Sequence, residues 1–274
     1  ADAYEFICAM LEQLKENPVQ KKTEWIEQCR KWVKDYPVVT PDKYEISDNR
    51  GSIYVFYKKL SEMLPDGSIY VTTSGNSRVV CRQAAIIKKN QRVITNHSTS
   101  PMGYCLPASI GTCIANDRKP VFLITGEGGF QMNIQELQTI KQNKLPIHIF
   151  VINNEGYHSI RMTQNNFFKN RTHVGIGEES GDLSFPDIHK IAKAYEFPYF
   201  ESKNLQDLEL ALKGVLECDT YCICQIFVSK TQVTSPKASS KKMPDGSFKS
   251  APLEDMAPFL PEDELRKNMY IPTV

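Results

Sequence analysis

A doubly wound parallel α/β sheet with helices on both faces is the fold class this 274-residue sequence predicts. Three observations carry it. The runs 121–124 and 147–152 are apolar at nearly every position, and strands of that kind must be covered on both faces. Between them, 130–142 carries apolar residues at helical spacing. The alternation then continues through a helix near 186–195, a strand near Tyr199, a helix over 205–216 and a strand over 221–228. Strands that alternate with helices point to crossover connections and a parallel sheet.

Taken in order, 1–35 reads as two amphipathic helices. Phe6, Ile7, Met10, Leu11 and Leu14 lie on one face of the first, and Trp25, Ile26, Cys29, Trp32 and Val33 on one face of the second. Asn17-Pro18 separates them and Tyr36-Pro37 ends the second. Neither has an obvious core of its own, so 1–50 reads as the helical end of another domain plus a linker. The main domain is expected over 51–230. It opens with a helix at 52–64, a Pro65-Asp66-Gly67 turn, a strand at 68–73, a short strand at 93–95 and a small-residue helix at 104–116. The last segment, 231–274, is rich in Pro, Ser and Lys and reads as an extended arm.

Bulk composition excludes some function classes. The formal net charge is +1, which offers no electrostatic case for nucleic acid or an anionic membrane. No apolar run approaches the roughly 20 residues a membrane helix needs. The first 15 residues carry Asp2, Glu5 and Glu12, unlike a secretory signal. Eight cysteines show no metal-ligand spacing, and a reducing, cytoplasmic setting is expected.

The chemistry concentrates in two clusters, Gly126-Glu127-Gly128-Gly129 and Asn153-Asn154-Glu155-Gly156, each at the carboxyl end of an apolar strand. Ligands collect at such ends in parallel sheets. The glycines let backbone amides approach a phosphate, and the following helix adds its positive end. The Glu127 carboxylate and the Asn154 amide oxygen are hard ligands of the kind Mg²⁺ takes together with phosphate oxygens. The residues alone therefore read as a magnesium-diphosphate site. Bland alternatives exist: Glu127 as a helix-terminal charge, Asn153-Asn154 as a turn, Met102 as core, and His148 as a satisfied structural residue.

The span from Gly126-Glu127-Gly128 to Asn153-Asn154 resembles the fingerprint of thiamine-diphosphate enzymes. Gly129 to Leu137 and Met102 to Gly111 are similar to the acetolactate synthase version. The tail residues Pro236 to Ser240 and Pro252 to Met256 are similar to acetolactate synthase-like proteins of polysaccharide gene clusters. The resemblance implies that 51–230 is the diphosphate-binding domain and 1–36 the end of a middle domain. It implies thiamine diphosphate and Mg²⁺ as cofactors, with the metal held by Glu127, Asn154 and the Gly156 carbonyl. Gly126, Gly128, Gly129 and Tyr157 would lie along the cofactor, Met102 would prop its bent shape, and Gly75, Asn76 and Ser77 would form a second diphosphate-contacting turn. It leaves FAD open for a longer protein, with contacts in the middle domain. It further implies a dimer or higher homo-oligomer, pyruvate as the donated 2-oxo acid, and a catalytic glutamate supplied by a separate pyrimidine-binding domain, so that this chain alone would be inactive.

Two departures stand out. The family has Asp where this chain has Glu127, and serine is common at Gly129. The segment 157–171, with Arg161, Gln164, Phe167 and Phe168, would border the acceptor pocket. It carries Asn165 near the place of a tryptophan, which favours a more polar acceptor such as a nucleotide-linked keto-sugar. Rival readings are a separate diphosphate-binding subunit of a two-chain 2-oxoacid oxidoreductase and a non-catalytic dimerisation module with a decayed metal site. A dinucleotide dehydrogenase fits poorly, because the third glycine of its fingerprint is absent and the next strand ends in asparagines.

Overall fold

A computed structural model of the chain describes residues 2–168, 173–243 and 245–271. It divides into two compact units, Ala1–Pro37 and Val38–Val274. In the first, α1 (Ala3–Glu16) and α2 (Thr23–Asp35) follow the apolar spacing of the sequence. The Asp2 carboxylate starts α1 by accepting from the amides of Tyr4 and Glu5 at 2.8 and 3.2 Å. Neither helix has a buried residue, and α1 exposes Phe6, Ile7, Met10 and Leu11.

The second unit runs α3 (Ile53–Met63), β1 (Ile69–Val71), α4 (Gly75–Ala84), β2 (Arg92–Ile94), α5 (Cys105–Ala115), β3 (Val121–Gly126), α6 (Glu127–Gln131), α7 (Glu136–Asn143) and β4 (Ile147–Asn153). It continues with α8 (His158–Phe168), α9 (Ile188–Tyr195), β5 (Tyr199–Ser202), α10 (Leu208–Leu216), β6 (Cys222–Phe227), β7 (Ser240–Lys242), β8 (Phe248–Ser250) and α11 (Glu262–Asn268). The main sheet has the order β2-β1-β3-β4-β6-β5, and every pairing in it is parallel.

Side-chain alternation along the central strands explains the two-faced cover. Phe122, Ile124, Phe150, Ile152, Cys222 and Cys224 enter one core with Tyr54, Phe56 and Leu60 of α3 and Leu212 and Val215 of α10. The intervening Val121, Leu123, Ile149, Val151 and Ile223 enter another with Leu106 of α5, Leu137 and Ile140 of α7, and Ile188 and Ala192 of α9. A strand repeat of two residues sends neighbours to opposite faces, so a continuous apolar run fills both.

Several local expectations change. The single helix expected over 130–142 is two, α6 and α7. Asn133 sits in the break, where its side-chain amide donates to the Gly103 carbonyl at 2.8 Å and its own carbonyl accepts from Glu136 at 3.0 Å. That tertiary bond competes with helix continuation. The Gly75-Asn76-Ser77 turn is the first turn of α4, and the segment after the second cluster is largely α8. Arg171 lies outside the described residues.

Residues 38–50 belong to the second unit: Val38 and Val39 lie against its core, and the Lys43 ammonium donates to Ser235 at 2.7 Å. The chain from Gln232 to Ser235 runs back over α3 and α4. The Gln232 side chain accepts from the Ile53 amide at 3.0 Å, Thr234 donates to the Asn76 side chain at 2.8 Å, and the Ser235 amide donates to the Tyr54 hydroxyl at 2.8 Å. Beyond it, β7 and β8 form an antiparallel pair.

Candidate functional site

In sequence, β1 is followed by β2 on one side of the sheet and β3 takes the other side. The crevice at the carboxyl ends of β1 and β3 is therefore a topological switch point, where open parallel sheets bind ligands. A cavity of about 320 Å³ lies there, lined by residues at or beyond the carboxyl ends of β1, β3 and β4 and by Met102 from the segment between β2 and α5. It is of the size that small ligands use. The residues expected from the sequence to hold the cofactor and metal border it: Gly75, Asn76, Ser77, Met102, Gly126, Glu127, Gly128, Gly129, Asn154, Gly156 and Tyr157, whereas Arg161, Gln164, Phe167 and Phe168 do not. Ser74, Ile152, His158, Ser159 and Ile160 complete the lining.

Two helices of eight residues or more, α4 and α8, begin at this cavity. The N-cap of α4, Ser74, makes no side-chain capping bond to the leading amides of that helix. Helix starts of this kind favour anions. A β-carbon at Gly128 would stand 2.2 Å from the Tyr157 ring, so a larger residue there would have to displace that ring.

Glu127, the first residue of α6, is 3% exposed. Its carboxylate accepts from the Gly156 amide at 2.8 Å and so reaches from the end of β3 to the turn after β4. Burial pushes its pKa up to about 7, against the lowering effect of facing backbone amides. No lysine or arginine pairs with it among the described residues. Asn154 is 5% exposed, and its side-chain oxygen is buried with no hydrogen-bond donor. A buried carboxylate without a cation, beside a buried amide oxygen without a donor, is a pair whose polar demands a hard metal ion would meet. Among the described residues, no group of three or more His, Cys, Asp or Glu is placed to hold a metal.

The turn 153–156 is pinned from several sides. Asn153 accepts from the Glu155 amide at 2.9 Å. The Glu155 carboxylate pairs with Arg50 and, at 2.5 Å, with Lys230. Burial would raise its pKa, but its bonds to Lys230 and Arg50 outweigh that and lower it. Arg161, 4% exposed, donates to the Glu155 carbonyl at 3.1 Å and to the Glu179 carboxylate at 2.6 Å. The Tyr157 amide donates to the Ile176 carbonyl at 2.7 Å.

Sequence reasoning missed this scaffold. Arg50, Lys230 and Glu179 are far from the turn in sequence and match no motif, and Thr234, which holds Asn76, is 158 residues away from it. His158 is buried with neither ring nitrogen bonded, and burial, helped by Arg161, lowers its pKa to about 4. His148 is also a correction: it is buried against Phe122, with ring centroids 5.2 Å apart, but neither nitrogen makes a hydrogen bond of normal geometry. Asn165 faces His173 at 3.3 Å and does not line the cavity.

The family profile for the thiamine pyrophosphate enzyme, C-terminal TPP binding domain, matches residues 73–226, more than half of the chain and all of the cavity lining. This chain belongs to the thiamine pyrophosphate enzymes. Among curated relatives, the domain is 31% identical to the acetolactate synthase large subunit of Porphyra purpurea over 220 residues, 79% of this chain and 35% of that one. It is 29% identical to the chloroplastic acetolactate synthase 2 of Zea mays, over 71% of this chain and 30% of the relative. It is 25% identical to the acetolactate synthase large subunit of Cyanidium caldarium, over 87% of this chain and 39% of the relative. The chain thus spans about a third of the length of the relatives it matches. No helix among the described residues is long and apolar enough to cross a membrane.

Proposed function

We propose that this cavity holds thiamine diphosphate with Mg²⁺, and that the domain serves a carboligase of the acetolactate synthase kind. The observation that carries the reading is at the switch point: the buried Asn154 oxygen has no donor among the described residues, and the buried Glu127 carboxylate in the same cavity accepts from the Gly156 amide but forms no ion pair among the described residues. Family membership supplies the cofactor class. In this reading, Glu127, the Asn154 side chain and the Gly156 carbonyl hold the metal. The leading amides of α4 and the Gly128-Gly129 backbone receive the diphosphate, and Met102 supports the ring system. Glu127 is longer than the aspartate usual in the family; its carboxylate accepts from the Gly156 amide, and the residue borders the cavity.

When bound, thiamine diphosphate supplies the carbanion chemistry that decarboxylates a 2-oxo acid and carries the remaining fragment. This chain's residues orient and neutralise: the helix starts would offset phosphate charge, and Ile152, Ile160 and Met102 give the cavity an apolar wall. The donor is proposed to be pyruvate and the acceptor a second 2-oxo acid or a keto-sugar. The glutamate that acts on the aminopyrimidine is proposed to come from a separate pyrimidine-binding domain in a homodimer or larger assembly, leaving this chain inactive by itself. A reducing compartment such as the cytoplasm suits its eight unpaired cysteines.

Calorimetry of thiamine diphosphate with and without Mg²⁺ tests the reading. Metal-dependent binding is expected, with a fall of at least tenfold on Asn154→Ala. Metal-independent binding, or an unchanged Asn154→Ala variant, would overturn it.

A further inference from the structure

The lining of the cavity contains no lysine and no arginine. Glu127 is its acid and His158 its one basic side chain. A diphosphate carries more negative charge than one Mg²⁺ neutralises, so the remaining oxygens need hydrogen-bond donors. His158 is the first residue of α8, four residues beyond Asn154 and two beyond Gly156, and so shares a corner with the proposed metal ligands. It is 5% exposed and borders the cavity, yet neither of its ring nitrogens has a partner. Either tautomer of the imidazole keeps an N–H, and buried donors are almost always paired. His158 therefore has a donor waiting for an acceptor that none of the described residues supplies.

We propose that the His158 ring donates a hydrogen bond to a diphosphate oxygen of the cofactor, making it a side-chain anion ligand of this chain. The assignment rests on the thiamine-diphosphate reading of the cavity. The metal ligands sit on the diphosphate side of any such ligand, and His158 opens α8 directly after the turn that carries Asn154 and Gly156.

The test uses the full chain with saturating Mg²⁺ and two probes, thiamine diphosphate and inorganic pyrophosphate. Loss of a hydrogen bond to a charged group predicts a roughly 10- to 100-fold weaker affinity for both probes in His158→Phe, with much of it recovered in His158→Gln. Because a variant can fail to fold, the wild-type ring is followed as well: with ¹⁵N-histidine labelling, the His158 ring nitrogens should shift on adding magnesium pyrophosphate. If wild type binds neither probe, the cofactor reading falls and the His158 role with it. If wild type binds both and a folded His158→Phe binds equally well, only the His158 role falls. A ring signal that moves with pyruvate but not with pyrophosphate would likewise overturn it and hand the residue to the substrate.

Discussion

Gly177 is not itself one of the proposed metal or cofactor ligands, yet one added methyl group there should cripple metal binding. Its backbone is extended, so alanine brings no conformational strain. The obstacle is contact: a β-carbon would stand 2.4 Å from the Glu155 carbonyl oxygen and 3.2 Å from the Gly156 α-carbon. To reach even 3.0 Å, the tightest separation that real β-carbons show, the turn must retreat by about 0.6 Å. Glu155 lies between Asn154 and Gly156, so the retreat moves two proposed ligands together. Mg²⁺ demands near-ideal octahedral geometry at about 2.0–2.1 Å, and a shift of that size should weaken it roughly 10- to 100-fold. Overpacking should cost about 1–3 kcal/mol of stability, a fall in Tm of a few degrees. The assay is calorimetric titration of Mg²⁺, and separately Ca²⁺, into Gly177→Ala with thiamine diphosphate present. Ca²⁺ accepts longer and more flexible coordination and should lose less affinity. Wild-type Mg²⁺ affinity in the variant, or equal losses for both ions, would refute the geometric argument.

Arg161→Met should remove the partner of Glu179 and of the Glu155 carbonyl at once. Since Glu179 is 29% exposed and partly rehydrates, the expected cost is about 2–3 kcal/mol by urea unfolding, below the full range for a buried pair. His148 titrates near 6.5 when unfolded and near 4 when folded, because burial disfavours its charged form. Its contribution is therefore fully present above pH 6.5 and is lost as pH falls toward 4. At pH 5 that loss is about 2 kcal/mol, and His148→Phe should show a correspondingly smaller drop in unfolding free energy between pH 7 and pH 5. An undiminished drop would show that the titration resides elsewhere. Thr234→Val should release Asn76 and weaken thiamine diphosphate binding a few-fold, with a melting temperature within about 2 °C of wild type.

The central sheet was legible because covering both faces of a strand demands an uninterrupted apolar run, and 121–124 and 147–152 have one. The site was legible because glycine, carboxylate and amide clustered right after those runs. Shorter elements were less so. β1 and β2 have three residues each, and α4 opens with Gly75-Asn76-Ser77, which reads as a turn when its packing against α3 is unknown. The break between α6 and α7 depends on a bond from Asn133 to Gly103, 30 residues earlier, which no local pattern encodes.

Periodicity and residue chemistry, both local properties of the chain, were thus enough to determine a parallel sheet and to place a hard-ligand, glycine-rich cluster at its carboxyl edge. Which groups hold that cluster in position was decided only by tertiary structure. Arg50, Lys230 and Glu179 come together with the 153–156 turn because the sheet order brings distant segments to one corner. The same packing takes the His158 ring out of water and leaves it without a hydrogen-bond partner among the described residues. Burial and the absence of a hydrogen-bond partner are properties of the folded neighbourhood, and a sequence position carries neither until its neighbours are in place.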